Sequence, residues 1–107
     1  MEKDSKILIL GASGLVGSAM LRKLQEQEYE NVLSPRHSEL DLKNQSAVND
    51  FFAKEKPEFV YLLAAKVGGI QANITYSDDF IYDNLMIQSN VIHAAYVNKV
   101  KKLVFLG

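Results

Sequence analysis

A chain of 107 residues has room for one domain, and 48% hydrophobic with 23% charged residues is the composition of a globular core, not of a disordered or fibrous chain. A formal net charge of −1 gives no reason to expect nucleic acid or an anionic membrane surface as a partner, and the lack of cysteine excludes a disulfide framework and a thiolate metal site. No apolar run approaches the ~18–20 residues of a membrane span and the charged lead-in Met1 to Lys6 has no apolar stretch of a signal peptide, so the expected location is cytoplasmic.

The first predicted element is Ile7-Leu8-Ile9-Leu10, four large aliphatics that read as a strand buried on both faces. It runs into Gly11-Ala12-Ser13-Gly14-Leu15-Val16-Gly17, with the spacing G-x-x-G-x-x-G, and then into a helical pattern over 15–28 carried by Leu15, Val16, Ala19, Met20 and Leu24. Strand, glycine turn and helix together predict a pyrophosphate site over Gly11–Gly17. A tight turn needs positive φ, the phosphate needs close backbone, and the helix start supplies unpaired N–H groups and a positive dipole end. Asn31-Val32-Leu33 is a short second strand, ended by Ser34-Pro35 because proline cannot continue a ladder. Asn44 is a candidate N-cap for a helix whose stripe is Val48, Phe51 and Phe52 and which stops before Pro57.

Phe59-Val60-Tyr61-Leu62-Leu63 is the third strand, followed by a loop of small residues over 64–73, at the strand end where ligands sit in open α/β sheets. The longest helical pattern runs over 77–97 and has two apolar faces. One carries Phe80, Asn84, Ile87, Val91 and Ala94; the other carries Ile81, Leu85, Ile92 and Tyr96. Two such faces predict burial on two sides, against the sheet and against a further domain or a second subunit. Asp78 and Asp79 suit its first turn, and Lys99, Lys101 and Lys102 read as a solvated turn after it. Leu103-Val104-Phe105-Leu106 is a fourth strand. The alternation predicts an α/β fold, a doubly wound parallel (Rossmann) sheet of about four strands with helices on both faces, incomplete, with 1–107 forming the N-terminal part of a dinucleotide-binding domain and no second domain.

The dinucleotide is read at the end of the second strand, where an NAD site places an acid on the ribose 2′-hydroxyl. Here the chain reads Ser34-Pro35-Arg36, and the planar fork of an arginine suits a 2′-phosphate, which favours NADP(H). Glu39 and Asp41 follow closely enough to keep NAD open, and Asp41 with Leu42 reads as an adenine-side contact or as a backbone tie in the turn. Neither His37 nor His93 has a metal-ligand partner at helical spacing, and His93, on an apolar helix, reads as a packing residue. The general acid/base pair of hydride transfer, Tyr-x-x-x-Lys, is missing: Leu33, Ala65, Phe80, Met86 and Val100 stand four places after the five tyrosines. No equipment for a redox step is legible.

Three segments together, Gly11 to Ala19, Leu63-Ala64-Ala65-Lys66-Val67-Gly68-Gly69-Ile70-Gln71-Ala72-Asn73, and Asp79-Phe80-Ile81-Tyr82-Asp83-Asn84, resemble the N-terminal part of the GDP-L-fucose synthase family, extended short-chain dehydrogenases/reductases. Those enzymes convert GDP-4-keto-6-deoxymannose to GDP-L-fucose by 3,5-epimerisation and NADPH-dependent 4-reduction. The resemblance implies that Gly11 to Gly17 hold the pyrophosphate and that Arg36, Ser38, Glu39, Leu40, Asp41 and Leu42 meet the adenosine end. It also implies that Leu63, Ala64 and Ala65 line the cofactor and that Leu106 and Gly107 begin its next contact. By the same resemblance Lys66, Val67, Gly68, Gly69 and Asn73 face a GDP-sugar, and the complete enzyme is a homodimer. The family's catalytic serine, cysteine, tyrosine and lysine follow the position of Gly107, so this chain is expected to be inactive alone. Two alternatives remain: another NAD(P)-dependent nucleotide-sugar epimerase, dehydratase or reductase, and a non-catalytic dinucleotide-binding module.

Overall fold

In a computed structural model of the chain, which describes residues 2–11, 15–63 and 78–105 and the side chains of these outside 78–84, the apolar run after Lys6 is strand β1 (Lys6–Leu10). It lies inside a parallel sheet between β2 (Asn31–Leu33) and β3 (Phe59–Leu62), and β3 pairs on its other side with β4 (Lys102–Phe105). The order is β2-β1-β3-β4. Position explains composition: Ile7, Leu8 and Ile9 are fully buried because both faces of β1 are covered, whereas β2 and β4 lie at the edges of the described sheet and keep polar ends at Asn31 and Lys102.

Alternation along β1 divides the core in two. Ile7 and Ile9 pack with Leu24, Met20 and Leu21 of α1 (Leu15–Glu26). Leu8 and Leu10, with Val60 and Leu62 of β3, meet the larger cluster formed by Val48 and Phe52 of α2 (Gln45–Glu55) and by Ile87, Val91, Ala94 and Ala95 of α3 (Asp78–Val97). Helices on both faces of a parallel sheet make this the Rossmann-like arrangement the alternation predicts. Phe52 is fully buried at its centre, and each such side chain contributes about 1.5–3 kcal/mol in transfer from water.

The buried face of α1 differs from the expected one. The buried stripe of α1 is Gly17, Met20, Leu21 and Leu24, at i, i+3, i+4 and i+7, while Leu15, Val16 and Ala19 are exposed. Leu15 and Val16 stand on the first turn, beyond the end of β1, where no sheet lies beneath them. On α3 the face of Ile87, Val91 and Ala94 is buried as expected, and among the described residues nothing covers Leu85, Ile92 and Tyr96, the face expected to meet a further domain or a second subunit; His93 is exposed beside it and packs on nothing within the described core. The side chains of Phe80, Ile81 and Asn84 lie outside the description.

The helix ends follow local rules. The Asn44 side chain accepts a hydrogen bond from the Ala47 N–H at 3.0 Å, the predicted N-cap. α1 stops two residues before the expected end, because Glu28 turns left-handed (φ 64°) and the Tyr29 and Glu28 N–H groups return to the carbonyls of Leu24 and Gln25. α3 closes identically through Lys99 (φ 57°), with the Val100 and Lys99 N–H groups on Ala95 and Tyr96. The lysine-rich turn is thus a helix cap, and Lys101 is paired with Glu58 at 3.0 Å.

Candidate functional site

Because the strands are parallel, all their C-terminal ends open on one edge, where Gly11 after β1, the loop after β2 and Leu63 after β3 begin. Chain order reverses between β1 and β3: β2 lies to one side of β1, β3 and β4 to the other. A crevice at such a switch point is where an open α/β sheet binds ligand. Pairing runs to the rim, with the Leu63 N–H donating to the Leu10 carbonyl at 2.8 Å, so the backbones on the two sides of the crevice are held adjacent.

Gly11 begins the turn after β1 with φ of 100°, a value that disfavours a side chain, and it is half-buried. Gly17 is buried within α1, where a side chain would lift the helix from the sheet. Between them the chain enters α1, whose first turn holds no acidic residue, so the positive end of the helix is left uncompensated toward the edge. Exposed Leu15 and Val16 flank this entry. Geometry and charge suit a phosphate anion. Ala12, Ser13 and Gly14 lie outside the described residues, as do Ala64, Ala65, the expected substrate-side residues Lys66, Val67, Gly68, Gly69 and Asn73, and the terminal pair Leu106 and Gly107.

The segment after β2 is a built loop. The Arg36 carbonyl accepts from the N–H groups of Glu39 (2.8 Å) and Leu40 (2.9 Å), and the Glu39 carboxylate accepts in return from the Arg36 N–H at 3.0 Å. The Asp41 carboxylate accepts from the Lys43 N–H at 3.0 Å, and its carbonyl from the Asn44 N–H at 3.0 Å, the backbone tie that was one of its two readings. Leu40 and Leu42 point into the core beneath, at 5% and 8% exposure, so what they can present to a ligand is backbone. Arg36, His37 and Ser38 are exposed above them. Among the described residues the Arg36 guanidinium has no ion-pair or hydrogen-bond partner.

One supporting residue was not legible as such. Asn90, buried on the inner face of α3, donates its amide to the Leu42 carbonyl at 2.9 Å and so ties this helix to the loop after β2. Its only signal in the sequence is its spacing, since it falls at i+3 from Ile87 and i−4 from Ala94, beside the face those residues form. Among the described residues no three His, Asp or Glu side chains gather as a metal site, and no helix is long and apolar enough to cross a membrane.

The model of the NAD dependent epimerase/dehydratase family matches residues 7–107. The chain belongs to that family. Within it, the chain is 61% identical over its whole length to putative GDP-L-fucose synthase 2 of Arabidopsis thaliana, of which it covers 33%. It is 55% identical over 95% of its length to GDP-L-fucose synthase of Escherichia coli, of which it covers 32%. Among solved structures, a GDP-mannoheptose C4 reductase from Campylobacter jejuni with NADP bound superposes with a TM-score of 0.92 at 50% identity, over all of this chain and 34% of that one. The chain thus spans about a third of the length of the epimerase/dehydratase relatives it matches. The four-stranded parallel sheet with helices on both faces is their NAD(P)-binding architecture.

Proposed function

We propose that this chain is the NADP(H)-holding N-terminal part of a cytoplasmic GDP-L-fucose synthase, which epimerises GDP-4-keto-6-deoxymannose at C3 and C5 and reduces it at C4. The observation that carries the cofactor is Arg36 after the end of β2, its guanidinium without a partner among the described residues, on the same edge as Gly11, with both nearby carboxylates engaged by backbone N–H groups. The similarity to GDP-L-fucose synthases carries the reaction. Along the edge, the backbone at Gly11 and the start of α1 hold the pyrophosphate, Arg36 the 2′-phosphate, and Leu63 with the residues after it the nicotinamide half. NADPH supplies the hydride for the C4 carbonyl when bound. The general acid, the epimerising residues and the grip on the GDP moiety belong to the parts of the relatives that this chain does not match.

The complete enzyme works as a homodimer, a reading supported by the second apolar face of α3, where Leu85, Ile92 and Tyr96 border a groove of about 510 Å³ with Gln88, Ser89 and His93. The test is product formation by the protein expressed from its complete reading frame. GDP-4-keto-6-deoxymannose and NADPH are expected to yield GDP-L-fucose with stoichiometric NADPH oxidation. A different nucleotide-sugar product would assign it to another activity of the family, and no turnover of any 4-keto sugar would favour a non-catalytic module.

A further inference from the structure

We infer that Glu39 is a positioning residue for cofactor choice: its carboxylate, folded back onto the Arg36 N–H, holds the loop so that the Arg36 guanidinium meets the 2′-phosphate. The inference rests on the NADP reading above and deepens it.

Between Asn31 and Asn44 the chain has two acids, Glu39 and Asp41. An acid just after β2 is what an NAD site uses to hold the 2′-hydroxyl, and beside a 2′-phosphate the same charge would repel. Each of these two accepts a backbone N–H from its own loop, at 3.0 Å, so each carboxylate is oriented by its own backbone, while the side chains of Arg36, Glu39 and Asp41 are all exposed. The Glu39 bond is reciprocal. Its N–H donates to the Arg36 carbonyl at 2.8 Å while its side chain accepts from the Arg36 N–H, which clamps the backbone on both sides of the Arg36 α-carbon. The side-chain bond is the glutamate half of a capping box, and the other bond is an ordinary i, i+3 backbone turn bond. Leu40 anchors the same turn in the core, and the Asn90 amide fixes the Leu42 carbonyl below it. With its backbone held from both ends, Arg36 loses less freedom when it closes on a phosphate, and reduced ordering cost appears directly as affinity.

A glutamine at position 39 keeps an acceptor oxygen at the same reach, whereas alanine removes it. The test is calorimetric titration of NADPH and NADH against the full-length protein and its Glu39→Gln and Glu39→Ala variants, with thermal stability recorded for each. The expected result is that Glu39→Ala weakens NADPH about 5- to 10-fold and leaves NADH within twofold, while Glu39→Gln keeps the NADPH preference of the parent. An unchanged NADPH to NADH ratio in Glu39→Ala, whatever its thermal stability, would overturn the inference and leave the cofactor reading standing. Equal loss of NADH in both variants would overturn it too, since the carboxylate would then be holding the ribose. A parent that binds NADH more tightly than NADPH would instead overturn the cofactor reading on which the inference rests.

Discussion

In the proposed reading, cofactor choice turns on Arg36, because a guanidinium gives a phosphate two charge-assisted hydrogen bonds and gives a ribose hydroxyl far less. Replacement by alanine should weaken NADPH by about 10- to 100-fold while leaving NADH within twofold, as read by equilibrium titration of the full-length protein. Retained NADPH preference in Arg36→Ala would move the phosphate contact elsewhere. Its position was legible in the sequence, since proline stops β2 just before it, and a backbone tie was one of two readings of Asp41; the engagement of Glu39 was not legible, because a carboxylate near a strand end reads alike whether it faces a ribose or its own backbone. A second residue-scale feature is the left-handed trio Glu28, Lys56 and Lys99, each at a helix end where glycine is the usual occupant. Lys99→Gly should relieve the side-chain strain at φ 57° and raise stability by about 0.5–1 kcal/mol, seen as a higher midpoint in urea.

At the scale of elements, each helix is held by one apolar stripe and by its caps. Removing the Asn44 side chain strands the Ala47 N–H at the start of α2, and Asn44→Ala should cost about 1 kcal/mol in urea denaturation. The order of strands and helices could be read from periodicity alone, because four aliphatics in a row and an i, i+3, i+4 stripe have few other solutions. Which apolar residues face the core was less legible. Leu15 and Val16 fit the α1 pattern numerically, yet they sit where the helix overhangs the strand ends, so the same hydrophobicity is presented to the edge instead of the sheet. Leu21, which the stripe needs, was hidden by the surplus of apolar neighbours around it. On α3 a second apolar face is present, but nothing among the described residues covers it, and periodicity does not say what does.

At the scale of the molecule, the two ends of the sheet have different tasks. The C-terminal edge carries the proposed cofactor site, and the N-terminal edge is closed by ion pairs, Lys6 with Glu55 at 2.9 Å and Lys101 with Glu58 at 3.0 Å. The hydrogen bond from Lys6 holds the Glu55 carboxyl below its ordinary range, and those from Lys101 and the Lys6 N–H do the same for Glu58. A carboxylate with a lowered folded pKa contributes stability that is present above its unfolded value, about 4.3, and lost as pH falls through the folded one. Thermal midpoints of the parent should therefore drop more steeply below about pH 4.3 than those of Glu58→Gln, and parallel acid limbs would deny the pair this role. All of these elements serve one claim, that the edge formed by Gly11, Arg36 and Leu63 holds NADP(H). The most direct measurement is a side-by-side titration of NADPH and NADH against the full-length protein: the account predicts tighter binding of NADPH, and tighter binding of NADH would contradict it.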